Sequence, residues 1–274
     1  MSKNYQVLFF IIIVLLIIAS AAATNMLFFD KNSISIDYIN SENGANVKEN
    51  IILKDNIIKY TNNSNFTNSI IESAKHGTPV IRFGNGEAPV TFIVAGVHGN
   101  QIPPQLATLR LIDYLENNKI HGTVYIVPFA APSLTASNEK LLNGENLNTV
   151  ADDVGTPTND IVTYAISKNS NVVGDFHSTA PGAVPGHNVI MCSQYPTYES
   201  YIYALEMTKF LNEGFELHKI AGVDYEGAVE DVLNIEGTPS VTGLSTSPHG
   251  EVASGSVENS FNQMLALLKS NGNI

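Results

Sequence analysis

Two histidines in this chain follow apolar runs. His98 closes Val94-Ala95-Gly96-Val97-His98-Gly99-Asn100-Gln101, and His177 follows Asn171 to Phe176 and precedes Ser178-Thr179. An imidazole at the end of a buried strand, followed by small polar residues, can present a metal ligand at a sheet edge. Asp175 stands two residues before His177, so on a strand the two side chains share a face. A carboxylate placed there orients a ligating ring. A zinc site of the form His-x-x-acid needs a carboxylate at position 101, but the residue there is Gln101. The same residues also fit a simpler role, as polar side chains that end strands and find hydrogen bonds. His76, His121 and His218 lie in polar turns and read as solvated. Cys192, the single cysteine, excludes an intrachain disulfide and a cysteine-based zinc cluster, and its apolar neighbours suggest packing. The sequence contains no Gly-x-Ser-x-Gly elbow, phosphate-binding loop or dinucleotide fingerprint.

The elements that must position these residues alternate in type. Apolar β runs are expected at Thr91–Val97, Thr123–Phe129, Asn171–Phe176, Asn188–Cys192 and Ser240–Leu244. Between them, helical spacing covers Gln105–Asn117, Asp160–Ser167 with Asn159 as cap, Tyr198–Asn212, Gly227–Leu233 and Val257–Leu268. Such alternation predicts an α/β fold, a mostly parallel but mixed central sheet with helices on both faces. In such folds ligands sit beyond the C-terminal strand ends, which gives His98 and His177 a shared edge. Residues 25–75 read as a small leader ahead of a main domain at 76–274, with strand-like pieces at Ser33–Ile39 and Ile51–Tyr60.

With 14 basic against 26 acidic residues, the formal charge of −12 argues against nucleic acid as a partner. Lys3, the uninterrupted apolar run Val7–Ile18 and the small residues Ala19 to Ala23 read as an export signal within residues 1–24. Apolar character resumes at Met26-Leu27-Phe28-Phe29, so Val7 to Phe29 is also long enough to span a bilayer. Both readings, a cleaved signal and a retained anchor, place the rest of the chain outside the cytoplasm. Contact with a membrane is expected only through this segment. Sequons at Asn62-Asn63-Ser64 and Asn65-Phe66-Thr67 are compatible with export.

Five short motifs occur in one order: Val94 to Asn100, Val127-Pro128-Phe129, Gly144-Glu145-Asn146-Leu147-Asn148, Asp175 to Thr179, and Thr238-Pro239-Ser240-Val241-Thr242. Together they resemble the succinylglutamate desuccinylase/aspartoacylase family of zinc carboxypeptidase-like hydrolases, over about residues 75 to 270. The resemblance implies one zinc held by His-x-x-Glu and a later histidine, a glutamate base from a late strand, and arginines for the substrate carboxylate and the oxyanion. It implies hydrolysis of an amide or ester, often in an N-acyl amino acid.

Carried over residue by residue, the pattern is incomplete. His98 and His177 match the ligand histidines, and Gln101 stands in place of the ligand glutamate. Asn146-Leu147-Asn148-Thr149 replaces a motif ending in arginine, which leaves Asn146, Asn148 and Thr149 as the substrate-side residues. Lys140 stands near an arginine position, as a point charge instead of a bidentate fork. Leu244 stands where the base is expected. Glu251 is a candidate substitute base and His249 a candidate ligand, although both read more simply as loop residues. Losing a general base typically forfeits about 10²–10⁴ in rate. These substitutions predict a weakened or absent zinc. They favour an impaired relative that binds a small-molecule or cell-surface ligand, over an active zinc hydrolase with an altered site. A purely structural surface role stays open.

Overall fold

The computed structural model describes residues 33–211 and 214–274. The export segment expected at residues 1–24, and its extension to Phe29, lie outside the described residues. Residues 33–274 make one compact unit. No helix among the described residues is long and apolar enough to cross a membrane.

The eight strands are β1 (Ile34–Ile39), β2 (Thr78–Phe83), β3 (Val90–Ala95), β4 (Thr123–Val127), β5 (Val172–Thr179), β6 (Val189–Met191), β7 (Glu216–His218) and β8 (Ser240–Thr246). They form a single sheet in the order β1-β2-β4-β3-β5-β8-β6-β7. Its centre, β4-β3-β5-β8, is parallel, and antiparallel pairs flank it on both sides. The expected α/β class with a mixed central sheet is therefore the observed one.

Alternation along the central strands divides the core in two. Ile81, Ile93, Ile126, Val172 and Val241 pack into one apolar layer with the helices α1 (Ile51–Tyr60), α2 (Asn65–Ser73), α3 (Ile102–Asn117) and α9 (Ser256–Ser270). Phe92, Val94, Tyr125, Val127 and Val173 face the other way. They pack against α5 (Pro157–Ser167) and α8 (Val229–Ile235). Because both faces are covered, the strands read in sequence as continuous apolar runs. The remaining helices are α4 (Pro132–Ser137), α6 (Glu199–Phe210) and the single turn α7 (Ala221–Asp224).

Several boundaries differ from the expected ones. Ile51–Tyr60 is a helix, not a strand, and buries Leu53 and Ile57, one turn apart, while Ile51 and Ile58 are exposed. Its N-cap is Asn50, whose side chain accepts from Leu53 N–H at 3.1 Å. Helix α3 starts at Ile102, three residues before Gln105, because Pro103 and Pro104 sit in the first turn, where no intrahelical N–H is required. Helix α5 is capped by Thr156, not Asn159, and Asn159 supplies the N–H that the cap accepts. Strands β2 and β7 go beyond the expected set. Residues 33–75 are not set apart as a leader: β1 pairs over six residues with β2, and α1 and α2 pack in the same core as α3.

Candidate functional site

Three adjacent parallel strands, β3, β5 and β8, end at one edge of the sheet. His98 follows β3, His177 lies near the end of β5 and pairs in register with Leu244 of β8. The chain turns sharply between β3 and α3. Gly99 makes this possible, since a Cβ there would lie 1.9 Å from the Leu134 carbonyl oxygen. Gln105, fully buried on α3, holds the turn by donating from Nε2 to the carbonyls of Gly99 (3.0 Å) and Gln101 (3.1 Å). The imidazole rings of His98 and His177 are 5.3 Å apart between centroids.

The hydrogen bonds assign the His98 tautomer. Asn146 Oδ1 accepts from Asn148 N–H at 3.2 Å, which identifies it as the oxygen. His98 Nε2, 2.7 Å from that oxygen, is therefore the donor. Its Nδ1 is left as a bare lone pair, buried and without a partner in the protein. Burial, with the nearby His177 and Lys140 adding to it, pushes the His98 ring down to about 3, against the opposing bond to Asn146. The ring is neutral and able to donate a lone pair.

His177 is held at both ends. Nε2 lies 2.8 Å from Asp175 Oδ2, the i, i+2 pair expected on one strand face. Nδ1 lies 2.8 Å from Gln101 Oε1, which also accepts from Ser178 N–H at 3.1 Å. Gln101 is the N-cap residue of α3, yet its side chain leaves the helix end uncapped and turns to His177 instead.

These residues line a cavity of about 270 Å³. Asn146, Asn148, Ser178, Thr242 and Leu244 also line it, with the exposed Lys140 and His249 on its rim. Partial burial and the proximity of Lys140 lower the basicity of the His249 ring. Tyr225 closes one side by donating to the Val184 carbonyl at 3.2 Å. Besides His98 Nδ1, the buried atoms Asn148 Oδ1 and Ser178 Oγ have no partner in the protein. Unpaired buried polar atoms are uncommon in native folds, and these three belong to residues that line this one cavity.

Not every expected residue is here. Thr149 is exposed and donates its hydroxyl to the Asn146 carbonyl at 2.9 Å, so it closes its own turn and does not line the cavity. Glu251 is exposed and does not line the cavity, so it is not placed to act as the substitute base expected for position 244. Leu244 does line the cavity, and it presents hydrocarbon there. The acid that reaches the cavity is Glu230, from the first turn of α8, only 1% exposed. Burial pushes its carboxyl up to about 7, against the hydrogen bonds it accepts from Ser193. In the sequence, Glu230 and Asp231 read as ordinary acids in a helical first turn. The only hint was apolar Val229, Val232 and Leu233 around them.

The implied zinc can be tested against these donors. The bare Nδ1 of His98 fits a transition metal. His177 Nδ1 is engaged with Gln101 Oε1 and would have to give up that bond to ligate, with Asp175 fixing the ring from the other side. The third donor is a neutral amide oxygen. Among the described residues no group of three or more His, Cys, Asp or Glu side chains is arranged to hold a metal ion. The fit is that of two imidazoles and one amide, weaker than a site with an anionic ligand.

No protein-family model matches the sequence, and comparison with curated proteins gives no match. Solved structures do match. A succinylglutamate desuccinylase/aspartoacylase of Rhodobacter sphaeroides superposes with a TM-score of 0.56 at 18% identity, over 74% of this chain and 62% of that one. The product-bound ectoine utilization protein EutE (DoeB) of Ruegeria pomeroyi gives a TM-score of 0.57 at 18% identity, over 73% and 63%. The tripeptide-bound cell shape determinant Csd4 of Helicobacter pylori gives 0.52 at 17% identity, over 68% and 52%. The fold is the succinylglutamate desuccinylase/aspartoacylase fold. The order of motifs resembles that same family. At these identities the likeness is one of fold, and the chain spans about three-fifths of the first two structures' length. In this aspartoacylase-like sheet, the edge that carries His98 and His177 is the C-terminal edge of the central parallel strands, where ligands bind in open α/β sheets.

Proposed function

We propose that the cavity is a binding cleft for an N-acyl amino acid or short peptide, with the hydrolytic chemistry of the aspartoacylase-like fold strongly reduced. The observation that carries this reading is the position of Gln101. Its amide oxygen sits between His177 Nδ1 and Ser178 N–H, where an anionic third ligand would otherwise stand. With Leu244 facing the cavity, the base position offers no proton acceptor. When bound, a zinc ion would polarise an acyl carbonyl and lower the pKa of a coordinated water. The chain's own groups bind and orient. Asn146 fixes the His98 ring, Asp175 fixes His177, and Asn148 Oδ1 and Ser178 Oγ, on residues lining the cavity, have no partner in the protein. The tripeptide complex of one structure with this fold agrees with a peptide ligand. Export through residues 1–24, as a cleaved signal or a retained anchor, belongs to the same proposal and puts the ligand outside the cytoplasm or at the cell surface.

The reading is tested by zinc titration of the full-length chain and of His98→Ala. The expected outcome is weak zinc binding, lost on dialysis, that His98→Ala abolishes. Zinc retained at one ion per chain after dialysis would overturn the impaired site. A second reading, an active zinc hydrolase with an altered donor set, draws its support from the bare His98 Nδ1. Ester hydrolysis that depends on added zinc and on His98 would favour it.

A further inference from the structure

Glu230 is the only acid among the described residues that line the cavity. Its Oε1 accepts from Ser193 N–H at 2.7 Å and its Oε2 from Ser193 Oγ at 3.3 Å. Both donors are neutral, and no basic side chain among the described residues forms an ion pair with it. A buried carboxylate without a cation is costly. A glutamine could accept from the same Ser193 N–H without that cost. The carboxylate therefore offers something a structural role does not need. Beside it, Met191, Ala221, Tyr225 and Leu244 belong to one apolar cluster that also lines the cavity. Elsewhere on its wall stand His98, with its bare Nδ1, and Lys140 and His249. The cavity is polarised, with nitrogen ligands and a cation in one part, an unpaired acid in another, and hydrocarbon in its lining.

We propose that Glu230 is a cation subsite, and that the cleft's ligand is an N-acyl amino acid or peptide whose side chain ends in a primary ammonium. The acyl amide and carboxylate lie toward His98, Lys140 and Ser178, the methylenes cover Met191 and Leu244, and the ammonium pairs with Glu230. This rests on the reading of the cavity as an acyl amino acid cleft and names the substrate class of that cleft. Desolvation raises the affinity of the carboxyl for a proton to about 7, and a bound ammonium replaces that proton as the counter-charge.

The test is calorimetric titration of the full-length chain at pH 7.5 with Nα-acetyl-L-lysine and Nα-acetyl-L-norleucine, which differ at the end of the side chain. The wild type is expected to bind the lysine compound at least about tenfold more tightly, the scale of one charge-assisted pair. Glu230→Gln is expected to reduce that preference to less than about threefold by weakening the lysine compound. Glu230→Asp, which keeps the charge on a shorter arm, is expected to retain part of it. Equal affinity for the two compounds in the wild type, or a preference that survives Glu230→Gln, overturns the subsite. Norleucine binding that His98→Ala weakens would then leave the cleft itself standing. If neither compound binds, the subsite falls, and the zinc titration of wild type and His98→Ala decides separately whether the cleft falls with it.

Discussion

At Gln101 the side-chain oxygen already accepts from Ser178 N–H and faces His177 Nδ1. A glutamate of the same length would inherit both contacts and add a charge. Gln101→Glu should therefore tighten zinc binding by at least about tenfold, measured by competition with a metal indicator. Adding Leu244→Glu should restore measurable ester hydrolysis, and an inert double variant with tight zinc would show that the base belongs elsewhere. Glu230 makes a prediction with a defined sign. Its carboxyl titrates from 4.5 in the unfolded chain to about 7 in the fold, with Asp231 and Asp175 adding to the effect of burial. The native state therefore holds the proton more tightly between those values. The stability that the protonated acid contributes is complete below about 4.5 and is lost as pH rises through about 7. A shift of that size corresponds to about 3 kcal/mol. Glu230→Gln should be more stable than the wild type by about that amount at pH 8 and indistinguishable at pH 4, by urea unfolding. Equal stability at both would mean that the carboxylate is solvated in the cavity.

At the scale of elements, α8 is tied to the segment after β6 through Glu230 and Asn234. Asn234 is fully buried, and the two N–H groups of its Nδ2 are shared among three acceptors, the carbonyls of Ser193 and Thr197 at 3.0 Å each and Ser200 Oγ at 2.7 Å. Asn234→Ala removes the side-chain donor to the buried Ser193 carbonyl, while the Thr197 carbonyl and Ser200 Oγ keep the N–H groups of Ser200 and Ser240. It should cost about 1–3 kcal/mol, with an unchanged urea m-value. The central strands and the later helices were legible because their apolar runs and their 3.6-residue spacing are unambiguous. Helix α1 was not. Its core contacts are Leu53 and Ile57, but exposed Ile51 and Ile58 fill in the pattern and make it read as a buried strand. The site was legible where a ligand type carries its own signature, as at His98, His177 and Gln101. Glu230 had no such signature, because an acid in the first turn of a helix is ordinarily solvated and favoured there by the backbone dipole. Thr149 was placed by its position in the resembled motif and Glu251 by its nearness in sequence to Leu244, and a turn and an exposed loop carry both out of the cavity.

On the scale of the whole molecule, residues 33–75 are part of the fold. They add an edge strand to β2 and place Val47, Leu53, Ile57, Ile70 and Ile71 in the same core as α3. A chain beginning at residue 76 should therefore expose that apolar layer and fail to give a soluble, cooperatively unfolding product. A folded monomer from residue 76 onward would show that the segment is an appendage. The net charge of −12 fits a surface that repels polyanions and leaves an uncompensated acid inside available to a cation.

The order β3-β5-β8 also acts as a ruler. Neighbouring strands in a sheet lie about 4.8 Å apart, so the chain segments bearing His98, His177 and Leu244 are spread over about 10 Å of one edge. A molecule that touches all three must bridge two strand spacings, roughly the length of three extended residues. Its size is set by the spacing of backbone hydrogen bonds, which no side-chain substitution in the cleft can change.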